Sequence, residues 1–169
     1  MRILHYALGI VFSFLMLIGC AGKAEKKKEN FTYKKQTNTP PKAEVDKNNV
    51  VITSNDAMQF SKKEIKVNAG KKVKITLKHI GKMDKKVMGH NFVLLKQGVN
   101  LTAFGNKAVI ASANEYIPEG TQDVIAHTKL IGGGETTVIE FDAPEVGIYE
   151  FLCSFPGHYA IMKGKFIVE

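Results

Sequence analysis

The run Lys72-Val73-Lys74-Ile75-Thr76-Leu77-Lys78 alternates polar and apolar residues without a break. Successive side chains of an extended strand point to opposite faces, so this run predicts a strand with one face in a core and the other in water. A helix is excluded there, because its period would carry Ile75 to the side opposite Val73 and Leu77. Similar runs at Val50–Thr53, Glu64–Val67, Asn91–Leu95, Thr136–Phe141, Gly147–Phe155 and Lys165–Val168 predict further strands. Gly132-Gly133-Gly134 and Ala143-Pro144 supply breaks between them. Between Thr102 and Glu115 the spacing of Phe104, Ala108, Ala111 and Glu115 is helical instead. The pattern predicts an all-β, Greek-key β-sandwich over residues 49–169, with seven or eight strands and one short inserted helix. No internal repeat is present.

The head of the chain has a different character. Met1 and Arg2 form a short basic start, and Ile3–Ile18 is mostly apolar, interrupted by His5, Tyr6 and Ser13. A stretch this short, followed at once by small residues, predicts a secretory signal over residues 1–19 rather than a membrane span. Leu17-Ile18-Gly19-Cys20 resembles the lipobox of bacterial lipoproteins, which implies that Cys20 is lipidated and anchors the protein to a membrane of the cell envelope. Residues 21–48 hold eight lysines, a Pro-Pro pair and few large apolar residues. Such a segment buries too little surface to offset its ordering entropy, which predicts a disordered tether with a reach of roughly 30 Å.

Net charge is +8, which invites a nucleic-acid reading. The distribution opposes it. The tether alone contributes eight lysines against four acids, whereas residues 49–169 carry 15 lysines against 12 acids. No basic-aromatic surface pattern follows, and an exported protein rarely meets nucleic acid.

With Cys20 acylated, Cys153 has no disulfide partner, and exported compartments oxidise bare thiols. Metal ligation would protect it. Cys153-Ser154-Phe155-Pro156-Gly157-His158-Tyr159-Ala160-Ile161-Met162 sets a thiol, an imidazole and a thioether within ten residues, at a predicted strand-to-strand turn. Sulfur ligands with imidazole favour copper, and a His₂Cys set with a weak axial Met is the blue-copper arrangement. His90, just ahead of another predicted strand, is the natural second histidine.

Residues 51–168 resemble azurin, a bacterial cupredoxin. The resemblance is carried by Asn55-Asp56-Ala57-Met58-Gln59-Phe60, Val87-Met88-Gly89-His90-Asn91, Ile125-Ala126-His127-Thr128-Lys129-Leu130-Ile131-Gly132, Phe155-Pro156-Gly157-His158 and Met162-Lys163-Gly164, in that order along the chain. It implies a cupredoxin-like fold and one type 1 copper ion. By position, His90, Cys153 and His158 are the equatorial ligands, Met162 is axial, and the Gly89 carbonyl lies opposite it. The resemblance also implies that Asn91 ties the two ligand loops together near Ser154. The backbone N–H groups of Asn91 and Phe155 would point at the Cys153 sulfur. Met58, Met83, Val87, Met88, Phe155, Pro156 and Ile161 match an apolar patch around the outer edge of His158, although any one of them could equally be core. His79 matches a partly buried, pH-responsive histidine; a hydrogen-bonded core histidine is the equal alternative. His127 reads as a surface residue.

The sequence departs from azurins in places. No cysteine is left for the disulfide azurins carry far from copper. The chain has no tryptophan, and Phe92 stands where azurins commonly bury one. The loop Phe141–Tyr149 is a few residues short.

The implied function is a single-electron carrier, not an enzyme, cycling Cu(II) and Cu(I) between redox proteins such as cytochromes or copper enzymes in the bacterial periplasm or cell envelope. A copper buffering or delivery protein is the alternative, although delivery favours several exchangeable ligands on an open surface. Copper oxidases and nitrite reductases need more histidines than the four beyond residue 19. Zinc could occupy the same ligands without redox function.

Overall fold

The computed structural model describes residues 46–169; the expected signal segment 1–19, Cys20 and all but the last three residues of the expected tether 21–48 lie outside the described residues. Those three are part of the fold. Asn48 is buried, its side-chain amide donating to the Asn68 carbonyl at 3.0 Å and accepting from the Asn68 N–H at 2.9 Å. The folded unit therefore includes at least Asp46–Asn48, ahead of the boundary expected at Asn49.

Two sheets pack face to face. The first contains β1 (Asn49–Asn55), β2 (Gln59–Phe60), β4 (Lys72–His79) and β7 (Thr136–Asp142), in the order β2-β1-β4-β7. The second contains β3 (Glu64–Val67), β5 (Val93–Leu95), β6 (Val124–His127), β8 (Gly147–Leu152) and β9 (Lys163–Val168), in the order β3-β9-β8-β5-β6. The chain crosses between sheets, so that β1 pairs with β4 and β3 with β9 in parallel, while the other ladders are antiparallel. The alternation that predicted β4 is the cause of its placement. Val73, Ile75 and Leu77 are fully buried, and Lys72 and Lys74 reach across the outer face to Asp142 and Glu140 of β7. Burying each such aliphatic side chain is worth about 1.5–3 kcal/mol, whereas the exposed ion pairs contribute little.

Phe92 fills the expected tryptophan position in this core, fully buried with its ring 5.1 Å from Phe151. Among the described residues Cys153 is the only cysteine, and it is free.

The helix is shorter than its sequence spacing predicts. α2 (Leu101–Ala108) is capped by Asn100, whose side chain accepts from Ala103 N, and it buries Leu101, Phe104 and Ala108 against Val93, Leu95 and Leu152. Beyond Ala108 a continued helix would have nothing to bury: Ile110 is 89% exposed. The chain instead passes through a 3₁₀ turn at Ser112–Asn114 into Glu115, whose φ is +53°.

Two strands are also shorter than predicted, for one reason. β5 starts at Val93 rather than Asn91, and β8 ends at Leu152 rather than Phe155, because the intervening residues leave the ladder to build the site. The alternation rule missed β2, which has two residues, and β6, an edge strand whose Val124, Ile125 and Ala126 are all half-buried. It also missed the one-turn helix α1 (Lys85–Met88).

Candidate metal centre

The segments that leave the sheets converge at one end of the sandwich. His90 follows α1 and makes a bridge to Ile131, N–H to carbonyl in both directions at 2.9 Å. Cys153 directly follows β8, and its N–H donates to the Met162 carbonyl at 2.9 Å. The Met162 N–H donates in turn to the His158 carbonyl at 2.7 Å, so the loop from 153 to 162 is closed on itself. Gly157 makes the tight turn possible, with φ at +80° where side chains are strained. α2 braces this loop from outside: the Tyr159 hydroxyl donates to Asn106 Oδ1 at 2.6 Å, and a Cβ at Gly105 would sit 2.5 Å from the Tyr159 ring.

The ligating atoms of His90, Cys153 and His158 lie within 4.8 Å of one another, and all three residues are buried. The Cys153 Sγ is 3.8 Å from His90 Nδ1 and 3.6 Å from His158 Nδ1. The tautomer of His90 follows from its other nitrogen. Nε2 lies 2.9 Å from the Asn55 carbonyl, which can only accept, so Nε2 carries the proton and Nδ1 turns a lone pair towards the sulfur. Burial holds both imidazoles neutral, lowering His90 and His158 to about 4; the charges of neighbouring histidines add to the effect at both. Burial also pushes the Cys153 thiol up to about 12, opposed by the backbone N–H groups of Asn91 and Phe155, which point at its sulfur.

Met162 is fully buried in the same loop. The Gly89 carbonyl lies 3.8 Å from the Cys153 sulfur. Glycine is required at that position: a Cβ would sit 2.5 Å from the Lys85 carbonyl and 3.0 Å from Leu130 and Phe155 side-chain atoms.

The chemistry of this donor set fits copper. Two neutral imidazoles offer lone pairs beside a thiol whose own N–H donors stand ready to stabilise a thiolate. A cation placed among them would reverse the burial effect on Cys153 and favour its ionised form.

Asn91 and Ser154 are both fully buried and tie the two ligand segments. Asn91 Oδ1 accepts from the Ser154 N–H at 2.8 Å, and Nδ2 donates to Ser154 Oγ at 2.8 Å and to the Glu115 carbonyl at 3.1 Å. The residue that sequence reasoning missed is Glu115. Its left-handed backbone aims that carbonyl at Asn91, and its carboxylate accepts from the Leu130 N–H at 3.3 Å. No local pattern marks such a residue, because its role exists only once the 3₁₀ turn has formed.

The expected patch residues separate into two groups. Val87 (63% exposed), Ile161 (53%) and Met83 (44%) are open to solvent. Met58, Met88 and Pro156 are half-buried. Phe155 is buried, its ring 4.7 Å from His158 and 5.1 Å from Tyr116, so it supports the patch from beneath. Ile80, just ahead of the segment that carries Met83, is also 65% exposed. His79 is buried; Nδ1 accepts from the Gly81 N–H at 3.0 Å, and Nε2 donates to the Met88 carbonyl at 3.1 Å. That is the arrangement of a hydrogen-bonded core histidine. His127 is exposed, as expected.

Comparison with known proteins agrees with this geometry. Residues 46–169 match the family described as "Copper binding proteins, plastocyanin/azurin family". Azurin-1 of Alcaligenes xylosoxydans xylosoxydans is 47% identical over 119 residues, covering 68% of this chain and 92% of that protein. Outer membrane protein H.8 of Neisseria gonorrhoeae is 44% identical over 117 residues, covering 68% of this chain and 63% of that protein. Among solved structures, the azurin Az-iso2 of Methylomonas sp. strain J superposes with a TM-score of 0.66 at 33% identity, covering 72% of this chain and 97% of that one. Azurins are copper-binding electron carriers, not enzymes. The buried His₂Cys cluster, the two-sheet sandwich and the match across the whole described region agree, and the chain belongs to the plastocyanin/azurin family of copper-binding proteins.

Proposed function

We propose that this chain is a single-electron carrier with one type 1 copper, which His90, Cys153 and His158 would hold, with Met162 and the Gly89 carbonyl as further, weaker donors. Bound there, copper supplies the one-electron Cu(II)/Cu(I) couple. The observation that carries the reading is the convergence of three buried donor atoms within 4.8 Å, on loops already fixed by hydrogen bonds. Asn91 and Ser154 keep the ligand segments in register, and the N–H groups of Asn91 and Phe155 draw electron density from the Cys153 sulfur. A cage fixed in this way holds its shape in both oxidation states, which keeps the reorganisation on electron transfer small. His158, at the surface end of the site and 3% exposed, is the electron's route to a partner docked on the patch formed by Met58, Met83, Val87, Met88, Pro156 and Ile161.

The site serves redox proteins such as cytochromes or copper enzymes at the bacterial cell envelope. Residues 1–19 direct export, Cys20 carries the lipid, and the lysine-rich segment after it is the tether. The lipobox-like Leu17-Ile18-Gly19-Cys20 supports this anchoring, and the match to a Neisseria protein named for the outer membrane is consistent with it.

The test is the visible spectrum of the copper-loaded protein. The carrier reading expects intense blue absorption from one copper per chain, bleached by ascorbate and restored by an oxidant without loss of metal. Copper released on reduction would favour delivery instead and overturn the carrier reading.

A further inference from the structure

The lysines of the folded region are not spread evenly. Segments 56–63, 80–89 and 154–163 hold six lysines against two aspartates, while the rest of residues 49–169 holds nine lysines against ten acids. The whole positive excess therefore lies in three segments, and the structure joins these at the metal end. Asp56 accepts from the Lys82 and Met83 N–H groups at 2.8 and 3.2 Å, which fixes the turn after β1 to the loop ahead of α1. Lys63, Lys163 and Ile161 share the lining of one surface hollow with Met58. Lys62 is the outlier; it lines a neighbouring hollow beside Asp46 and Glu64.

The pairing of these charges is also uneven. Among the described residues the lysine–carboxylate pairs are Lys47–Glu169, Lys66–Glu64, Lys72–Asp142, Lys74–Glu140 and Lys165–Glu150, all outside the three segments. At the metal end the two aspartates serve the backbone instead: Asp56 as above, and Asp84 by capping α1 through the Lys86 N–H at 2.8 Å. Lys63, Lys82, Lys85, Lys86 and Lys163 are left without an acidic partner around the exposed Met83, Val87 and Ile161. Glu115 and Glu135 share a hollow with Lys85 and Lys129, but their carboxylates accept from the Leu130 and Gly132 N–H groups and neither forms a salt bridge with these lysines.

We propose that this face docks a redox protein whose own contact face has an apolar centre within an acidic rim. The proposal rests on the carrier reading above and adds the chemistry of the partner. Apolar side chains at the centre supply close contact, while unpaired lysines at the rim steer an acidic partner and reject basic ones. An anionic bilayer would satisfy the lysines, but it accepts no electron from the histidine at the patch centre.

The experiment uses the copper-loaded full chain carrying Cys20→Ala, with a version of itself as the acidic probe. Lys82→Glu/Lys85→Glu/Lys86→Glu converts one side of the rim to acid. Lys66→Glu/Lys71→Glu/Lys96→Glu makes the same change in net charge away from the metal end. Electron exchange between oxidised and reduced molecules is followed by NMR line broadening at low and high ionic strength. Exchange of the unaltered rim with itself should be slow at low salt and rise with salt, because like rims must meet. Exchange between the unaltered and acidic rims should be about 10-fold or more faster at low salt and fall as salt is added. The control triple should resemble the unaltered protein. Lys82→Gln/Lys85→Gln/Lys86→Gln, the milder change, should speed self-exchange at low salt.

Equal rates in every pairing, or equal effects of the two glutamate triples, would overturn the proposal. So would binding to phosphatidylglycerol vesicles that the metal-end triple abolishes while exchange stays unchanged, since the lysines would then serve a membrane. Each variant is first bleached and re-oxidised. Failure at that step counts against the carrier reading, whereas reversible variants with unresponsive exchange rates count against the docking inference alone.

Discussion

Replacing Asn91 with alanine should cost more than any surface change and should do so without touching a ligand. The side chain is fully buried and bonds three groups on two residues distant in sequence: Ser154 N–H, Ser154 Oγ and the Glu115 carbonyl. Alanine removes all three partners at once. Ser154 is itself fully buried, so its N–H has no water to turn to, whereas the Glu115 residue is only half-buried and its carbonyl can be partly rehydrated. Counting one to two unsatisfied buried groups, at about 1–3 kcal/mol each, gives a loss of about 1–6 kcal/mol. For a domain of this size that is a fall in Tm of roughly 4–24 °C. The assay is urea denaturation of the copper-free protein, followed by far-UV circular dichroism. Ser154→Ala and the double variant close a cycle, in which the double should lose less than the sum of the singles by at least about 0.5 kcal/mol. The copper-loaded variant should also show a broadened visible band, since the Cys153 and His90 segments lose their direct tie. A loss below about 1 kcal/mol with additive singles would show that this buried amide does not hold the site together.

Cys153→Ser should abolish the intense blue colour even where copper still binds, because the band requires a thiolate; a blue serine variant would remove Cys153 from the ligand set. Met162→Leu should keep the colour and raise the reduction potential, since loss of a weak donor disfavours the more charged Cu(II); voltammetry reading an equal or lower potential would count against an axial role. The copper-free protein should be most stable between about pH 6.5 and 9. His90 and His158, held at about 4, bind protons less readily folded than unfolded, so stability falls as pH drops from the ordinary histidine value towards 4. Cys153, held at about 12, keeps its proton in the fold while the unfolded thiol loses it, so stability also falls as pH rises above 9. Urea midpoints across that range would test both limbs, and a flat acid limb would contradict the neutral-imidazole site. Cys20→Ala, behind an ordinary export signal, should give a soluble protein with an unchanged copper spectrum; acyl burial at about 0.8 kcal/mol per methylene resists the high-salt wash that releases a lysine-held protein, so release of the unaltered protein by salt alone would refute the lipid anchor.

The legible part of this chain is the part governed by period and spacing. β4 follows directly from the alternation of Val73, Ile75 and Leu77, and the approach of Cys153 to His158 follows from their short spacing at a turn. The less legible parts are those where tertiary bonds override a local pattern. Asn91 and Phe92 continue a strand-like sequence, yet the Asn91 side chain bonds to Ser154 and the Phe92 N–H donates to Thr128 Oγ1, so β5 begins only at Val93. The helical spacing that runs to Glu115 stops at Ala108 because the next turn has no core to cover. β6 escaped notice because a half-buried edge strand need not alternate.

Other tertiary bonds explain how the site can be ready before metal arrives. His90 has its Nε2 proton committed to the Asn55 carbonyl, the His158 carbonyl holds Met162 N–H, and Cys153 N–H is held by the Met162 carbonyl. None of these bonds involves a metal. The first fixes the His90 ring itself, and the other two fix the backbone of the 153–162 loop, so turning His90 away would break a buried bond while the loop that carries Cys153 and His158 keeps its shape. Metal binding therefore does not have to order this end of the domain; what it must do is displace one proton from Cys153, which burial has made reluctant to ionise. The fold supplies the rigidity and the metal supplies the charge that makes the thiolate stable. That division is suited to a site whose ligands must stay put while an electron passes.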